Sequence, residues 1–205
     1  PPPSAHEPAS QAWGAQRLAP VLGWPFGGGY DPRRTPAGAC YFVPDETLTT
    51  AQAARLGIDS EDDLFGGVVP HPFVASKVIT HPLPAPDSSA PPGWQRGLAT
   101  ELADAVLPGF SVFDPAEIGD AGERLLARGG RVRLKEAQAR GGNGQHLLAD
   151  TDALRAVVAG LDPDAVHRHG VVLEQHLEHA TTCSIGEIHV GGRRLAYLGL
   201  QRQAD

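Results

Sequence analysis

The chain has 205 residues and a formal net charge of −7, with 41% hydrophobic and 20% charged residues. That balance is globular, leaves room for more than one subdomain, and lacks the overall basic footprint of a nucleic-acid binder. No apolar run reaches membrane-spanning length and no signal peptide is visible, so a cytoplasmic protein without membrane partners is expected. Cys40 and Cys183 lack metal-type spacing and read as free thiols of a reducing compartment, with a disulfide as the alternative. The sequence has no Met, opens Pro1-Pro2-Pro3 and stops just after a strand pattern, so we expect a chain cut at both ends.

In chain order, residues 1–9 read as loose, and a short helix is predicted over 11–22, with Pro20 disturbing its last turn. The apolar run 38–43 predicts a buried strand. Thr49 or Thr50 can cap a helix that runs through Leu56 and stops at Gly57. Residues 60–63 form an acidic stretch, read as a solvated turn, with a metal site as the weaker alternative. An apolar, Gly/Pro-punctuated loop over 65–73 precedes Lys77, and residues 82–92 are proline-rich. A helix is predicted over 95–106 through Leu98, Leu102 and Val106.

From Leu107 the order predicted is strand, helix, two strands, helix, strand, hairpin. Residues 108–113 are extended, and Asp114 caps a helix with Pro115 at its first position. Asp150 or Thr151 caps the next helix, and 171–177 is a strand. Gly191-Gly192 joins the last two strands.

The most informative stretch is 131–149. Val132 and Leu134 alternate with polar side chains up to Lys135, and a turn with Gly141, Gly142 and Gly144 leads into a second apolar run. Successive N–H groups in such a turn can converge on an anion, and Lys135 and Arg140 place positive charge beside it. Those are the parts of a polyphosphate grip. It is not a Walker A loop, because the Lys precedes the glycines and no Lys-Ser/Thr pair follows them. An ordinary glycine-rich β-turn accounts for the same residues. His167 and His169, two apart, could serve a strand-borne metal site but lack a third ligand; His176 and His179 read as structural or solvated.

Lys135, the following Gly-Gly-x-Gly, the strand and helix after it, and the run Leu173-Glu174-Gln175-His176-Leu177 together resemble the ATP-grasp superfamily. The pattern is closest to biotin carboxylase and its relatives, and is similar to a bacterial family of uncharacterised ATP-grasp-like proteins. The resemblance is good over 73–200 and poor over 1–72. It implies an α/β (α+β) fold: an N-terminal α/β region at 1–72, a linker and helical segment at 73–107, a lid subdomain of antiparallel strands and helices at 108–177, and the start of a truncated C-terminal subdomain at 178–205.

The resemblance implies ATP as ligand. Lys135 would contact its α- and β-phosphates, and Lys77 would be the phosphate-binding lysine that opens the region. Gly141, Gly142 and Gly144 would lie over the phosphates with Arg140 beside them. Glu174 would accept from the adenine amino group, with the backbone of Gln175, His176 and Leu177 along the adenine edge. Leu134, Val172 and Leu173 could pack the purine. Bland readings stand beside these: Lys135 as a strand-end lysine, Glu174 in a structural ion pair with Lys135, Lys77 and Arg140 as solvated charges. Glu136 departs from the family by placing a negative charge after Lys135. The Mg²⁺ ligands of the superfamily would lie beyond this chain, so the fragment is expected to be inactive, and no catalytic residue or metal ligand is assigned. The leading reading is the ATP-binding part of a ligase that activates a carboxylate as an acyl phosphate. The alternatives are a non-catalytic nucleotide-binding or regulatory module, and a plain α/β domain. The acceptor substrate and oligomeric state have no signature in the sequence.

Overall fold

A computed structural model of the chain describes residues 6–34, 38–139 and 143–201. They form two units, one running up to Pro70 and resuming at Ala180, the other spanning His71–His179.

In the first unit, helix α1 (His6–Leu22) begins before the predicted residue 11 and carries Pro20 inside its last turns. Strand β1 (Leu48–Thr49) leads into α2 (Thr50–Leu56). Thr49 is the cap: its hydroxyl accepts from the Gln52 N–H, and the Gln52 side chain accepts from the Thr49 N–H at 2.7 Å. Gly57 closes the helix at φ 70°, in the left-handed region that favours glycine. Strand β2 (Val68–Val69) pairs parallel with β1, over a small core of Leu48, Ala53, Ile58 and Leu64. The buried strand predicted over 38–43 does not form. Only Phe42 bridges, to Leu64, and the run is half-buried, because it has one short partner and no second strand beside it. The acidic stretch is a 3₁₀ turn capped by Ser60, in which Asp63 accepts from the Asp59 and Ser60 N–H groups.

In the second unit the helix predicted over 95–106 contracts to α3 (Leu98–Glu101), which buries only Ala99. A helix with so little apolar contact gains too little to extend. Strand β3 (Gly109–Val112) is followed by α4 (Pro115–Leu126), whose Asp114 cap accepts from the Ala116 N–H. Strands β4 (Val132–Glu136) and β5 (Gln145–Leu148) form the predicted hairpin, and α5 (Thr151–Gly160) starts at the Asp150 cap. A further helix, α6 (Pro163–His169), was not predicted, although Asp162-Pro163 repeats the Asp-Pro signature that starts α4. Strand β6 (Val171–Gln175) then enters the middle of the sheet.

The sheet order is β3-β6-β4-β5, with every neighbouring pair antiparallel. Period-two alternation gives it two unlike faces. Phe110, Val112, Val132, Leu134, Leu148, Val171 and Leu173 pack against Ile118 and Leu125 of α4, Leu154 of α5 and Val166 of α6. Leu134 and Leu173, expected to flank a purine, are fully buried on this helix side. The opposite face carries Ser111, Val172 and Glu174 with Arg133 and Lys135. It is partly covered by Phe73, Val78, Leu83 and Phe113, with Trp94 packed between the rings of Phe73 and Phe113. The proline-rich stretch runs along the outer edge of β3, where the Ser111 N–H donates to the Pro82 carbonyl at 2.8 Å and the Ser111 hydroxyl to that of Val78. An edge strand is thereby covered.

Strands β7 (Thr182–Val190) and β8 (Arg193–Gln201) of the first unit pair antiparallel as predicted, through Gly191 and Gly192 at positive φ. Ile185, Leu195, Leu198 and Leu200 are exposed on them.

Leu173 is fully buried in the core beneath the central strand, beside Gly122 of α4, so Leu173→Ala is expected to cost about 2–5 kcal/mol. Chemical denaturation of the two proteins measures the difference.

Candidate functional site

The sheet register decides which polar side chains meet. Arg133 lies opposite Glu174 on one side and Leu147 on the other; Lys135 lies opposite Val172 and Gln145. Two parallel rows therefore cross the open face, one of Glu174, Arg133 and Leu147, the other of Val172, Lys135 and Gln145.

Within this frame the Lys135 Nζ donates to Glu174 Oε1 at 2.6 Å, with side chains 25% and 14% exposed. A carboxylate so covered needs a partner, and Lys135 supplies it. The other Glu174 oxygen lies 3.7 Å from His81 Nε2. His81 is buried, its Nδ1 held 2.8 Å from the Thr80 hydroxyl. Gly109, in register with Glu174, makes room for it: a Cβ there would sit 2.5 Å from His81 Cδ2 and from the Leu173 carbonyl oxygen. Burial lowers the His81 pKa below the usual imidazole value, against the weaker pull of the Glu174 charge.

Lys77 reaches the same place from a 3₁₀ turn over Lys77–Thr80. Its Nζ donates to the carbonyls of Glu136 at 2.9 Å and Ala139 at 2.7 Å, at the foot of the connection to β5. Burial, then repulsion from Lys135, lowers its pKa; Glu136 and Glu174 act in the opposite sense. At the far end of that connection Gly144 has φ 58°, and a Cβ there would meet the Ala139 Cβ at 2.5 Å. Glycine is required at this position by both backbone and space. Arg140, Gly141 and Gly142 lie outside the described residues.

Glu136, the departure noted after Lys135, points to the opposite face of the sheet, where His146 lies 3.6 Å from it. Its position in the sequence is next to Lys135, but strand alternation turns its side chain to the other face, from where its charge still acts on Lys77.

Three residues were expected to present backbone to an adenine edge. The Gln175 N–H donates to the Pro108 carbonyl at 2.9 Å and the His176 N–H to that of Arg131 at 2.8 Å, so both serve the sheet. Leu177 is half exposed past the end of β6. The His176 ring joins the open face by accepting at Nδ1 from the Arg133 guanidinium, 3.2 Å from Nη2. Arg is only a donor, so this nitrogen carries no proton. Burial, then the charges of Arg133 and Arg131, lowers the His176 pKa. His167 and His169 fall on α6, where a spacing of two sends side chains to different sides. Among the described residues no group of three His, Cys, Asp or Glu side chains is placed to hold a metal ion.

The open face thus gathers Lys77, Lys135 and Glu174 from distant sequence positions. Sequence reading passed over Arg133, His81 and Gly109. The alternation that put Lys135 on the open face also puts Arg133 there, so that signal was available; the His81–Gly109 contact had none.

His81 titration has a definite sign. With its folded pKa below the unfolded value, its contribution to stability is complete above about pH 6.5 and is lost as pH falls through the lower folded value. The thermal midpoint is expected to drop between pH 7.5 and 5, and His81→Gln to flatten that drop. An unchanged slope in the variant counts against a buried neutral His81.

A search of curated proteins gives no match. Among solved structures the chain is similar to D-alanyl-alanine synthetase A from Vibrio cholerae O1 biovar eltor str. N16961, with 11% identity and a TM-score of 0.43. The match covers 81% of this chain and 46% of that one, so the chain spans about half of that protein's length. A family model matches residues 1–205, and the chain belongs to that family, described as Protein of unknown function (DUF3182).

Proposed function

We propose that this chain binds ATP on the open face of its four-stranded sheet, as the nucleotide-binding part of an ATP-grasp-like ligase. The observation that carries the reading is the convergence of Lys77, Lys135 and Glu174 on that face, at the foot of the glycine-containing connection from β4 to β5. Burial first, and then repulsion from Lys135, lowers the Lys77 pKa, and a polyanion between the two ammonium groups would relieve that repulsion. Fixed cations of this kind stabilise phosphate charge without reorganising. Glu174 has acceptor capacity beyond Lys135, since a carboxylate offers about four lone-pair sites. It can keep Lys135 in place and still accept from an exocyclic amine.

Magnesium supplies charge neutralisation between phosphates in such ligases. Among the described residues no group of three or more His, Cys, Asp or Glu side chains is placed to hold it. In a parent ligase the γ-phosphoryl group would pass to a carboxylate, and the acyl phosphate to a nucleophile.

The test is a thermal-shift titration with ATP and Mg²⁺. At a hundredfold excess over Kd the native state gains about 2.7 kcal/mol, roughly 5–10 °C for a chain of this size. The shift is expected for the native sequence and is expected to vanish in Lys135→Ala. A folded protein with no shift, or an undiminished shift in the variant, overturns the reading.

A further inference from the structure

We infer that Arg133 is a specificity-determining residue for the base end of the nucleotide, its guanidinium plane forming a platform between Glu174 and Leu147. The inference rests on the nucleotide-binding reading above and adds to it the chemical group that this row of side chains would recognise.

The row Glu174, Arg133, Leu147 lies two residues along the strands from the row that holds Lys135, roughly 7 Å away. The two rows differ in chemistry. Lys135 offers a compact point charge, which suits a phosphate. Arg133 is already engaged at its edge: Nη1 donates to Gln145 Oε1 at 3.2 Å, and Nε and Nη2 approach His176 Nδ1 at 3.4 and 3.2 Å. With three of five N–H groups aimed at protein acceptors, the faces of the planar group are what it offers a ligand. Its neighbours point the same way. Leu147 is 41% exposed, an apolar side chain on the open face. Glu174, in register on the other flank, is an acceptor with lone pairs beyond the one that Lys135 takes. A planar cation, an exposed apolar group and a carboxylate in one line suit a flat heteroaromatic ring bearing an amino group. Guanidinium stacks well on aromatic rings, and lysine does not reproduce it.

The experiment is calorimetric titration of the intact chain with ATP, ITP and inorganic tripolyphosphate, for the native sequence, Arg133→Leu and Arg133→Lys, with circular dichroism confirming the fold of each. ITP carries a carbonyl where ATP carries the amino group, and tripolyphosphate has no base. The native chain is expected to prefer ATP over ITP. Both variants are expected to weaken ATP by about tenfold, in the range of a partly desolvated cation–π contact. Arg133→Lys, which keeps the charge, is expected to leave tripolyphosphate affinity within about twofold. ATP affinity unchanged in Arg133→Lys overturns the inference, as does an equal loss for ATP and tripolyphosphate in that variant. A native chain that binds neither ATP nor tripolyphosphate overturns the nucleotide-binding reading itself, and this inference with it.

Discussion

The ion pair between Lys135 and Glu174 organises the open face of the sheet. Each residue sits on a central strand, β4 or β6, with apolar neighbours before it, and neither charge would be tolerated there alone. The pair fixes two side chains that would otherwise sample many rotamers. It also modulates the electrostatics around it: burial lowers the pKa of both Lys77 and His81, Lys135 adds to that lowering and Glu174 opposes it. The helix-packed face supplies stability, and the ion-paired face keeps polar groups at hand at a modest energetic cost.

The same sheet separates these roles by register alone. Along β4, Val132 and Leu134 enter the core while Arg133 and Lys135 stay on the other side. A slip of one residue would bury two cations and expose two core side chains, so the register is strongly specified. Glu136 shows the same rule in reverse, because its charge leaves on the helix side although it directly follows Lys135.

Much of this was legible in the sequence because it is local. Thr49 with Gln52 and Gly57, Asp114-Pro115, Asp150, and Gly191-Gly192 each define a cap or turn within a few residues, and each element starts or ends where these signals fall. The β4–β5 hairpin and the pairing partner of Lys135 followed from alternation and from a carboxylate in an apolar strand. What escaped is non-local. The run 38–43 looked like a strand but finds only a single bridge. The N–H groups of Gln175 and His176 are claimed by carbonyls at Pro108 and Arg131, far away in sequence. The His81 ring depends on a glycine 28 positions later (109 − 81), a fit that no single-sequence pattern encodes. Helix α6 is different: its Asp162-Pro163 start is a local signal like that of α4, although the helix is only seven residues long.

Lys77 draws a kinetic consequence from this geometry. The β4–β5 hairpin joins residues close in the chain and can form early. The bonds from Lys77 to Glu136 and Ala139 span 59 and 62 residues, and contacts of that separation carry a larger loop-closure cost. The hairpin can therefore form before the covering segment docks on it, while the β3–β6 pairing, from Gly109 with Glu174 to Val112 with Val171, closes a loop as long as the Lys77 bonds do. The second ammonium group arrives with that segment, so the cluster of charges on the open face is completed after the hairpin that carries Lys135.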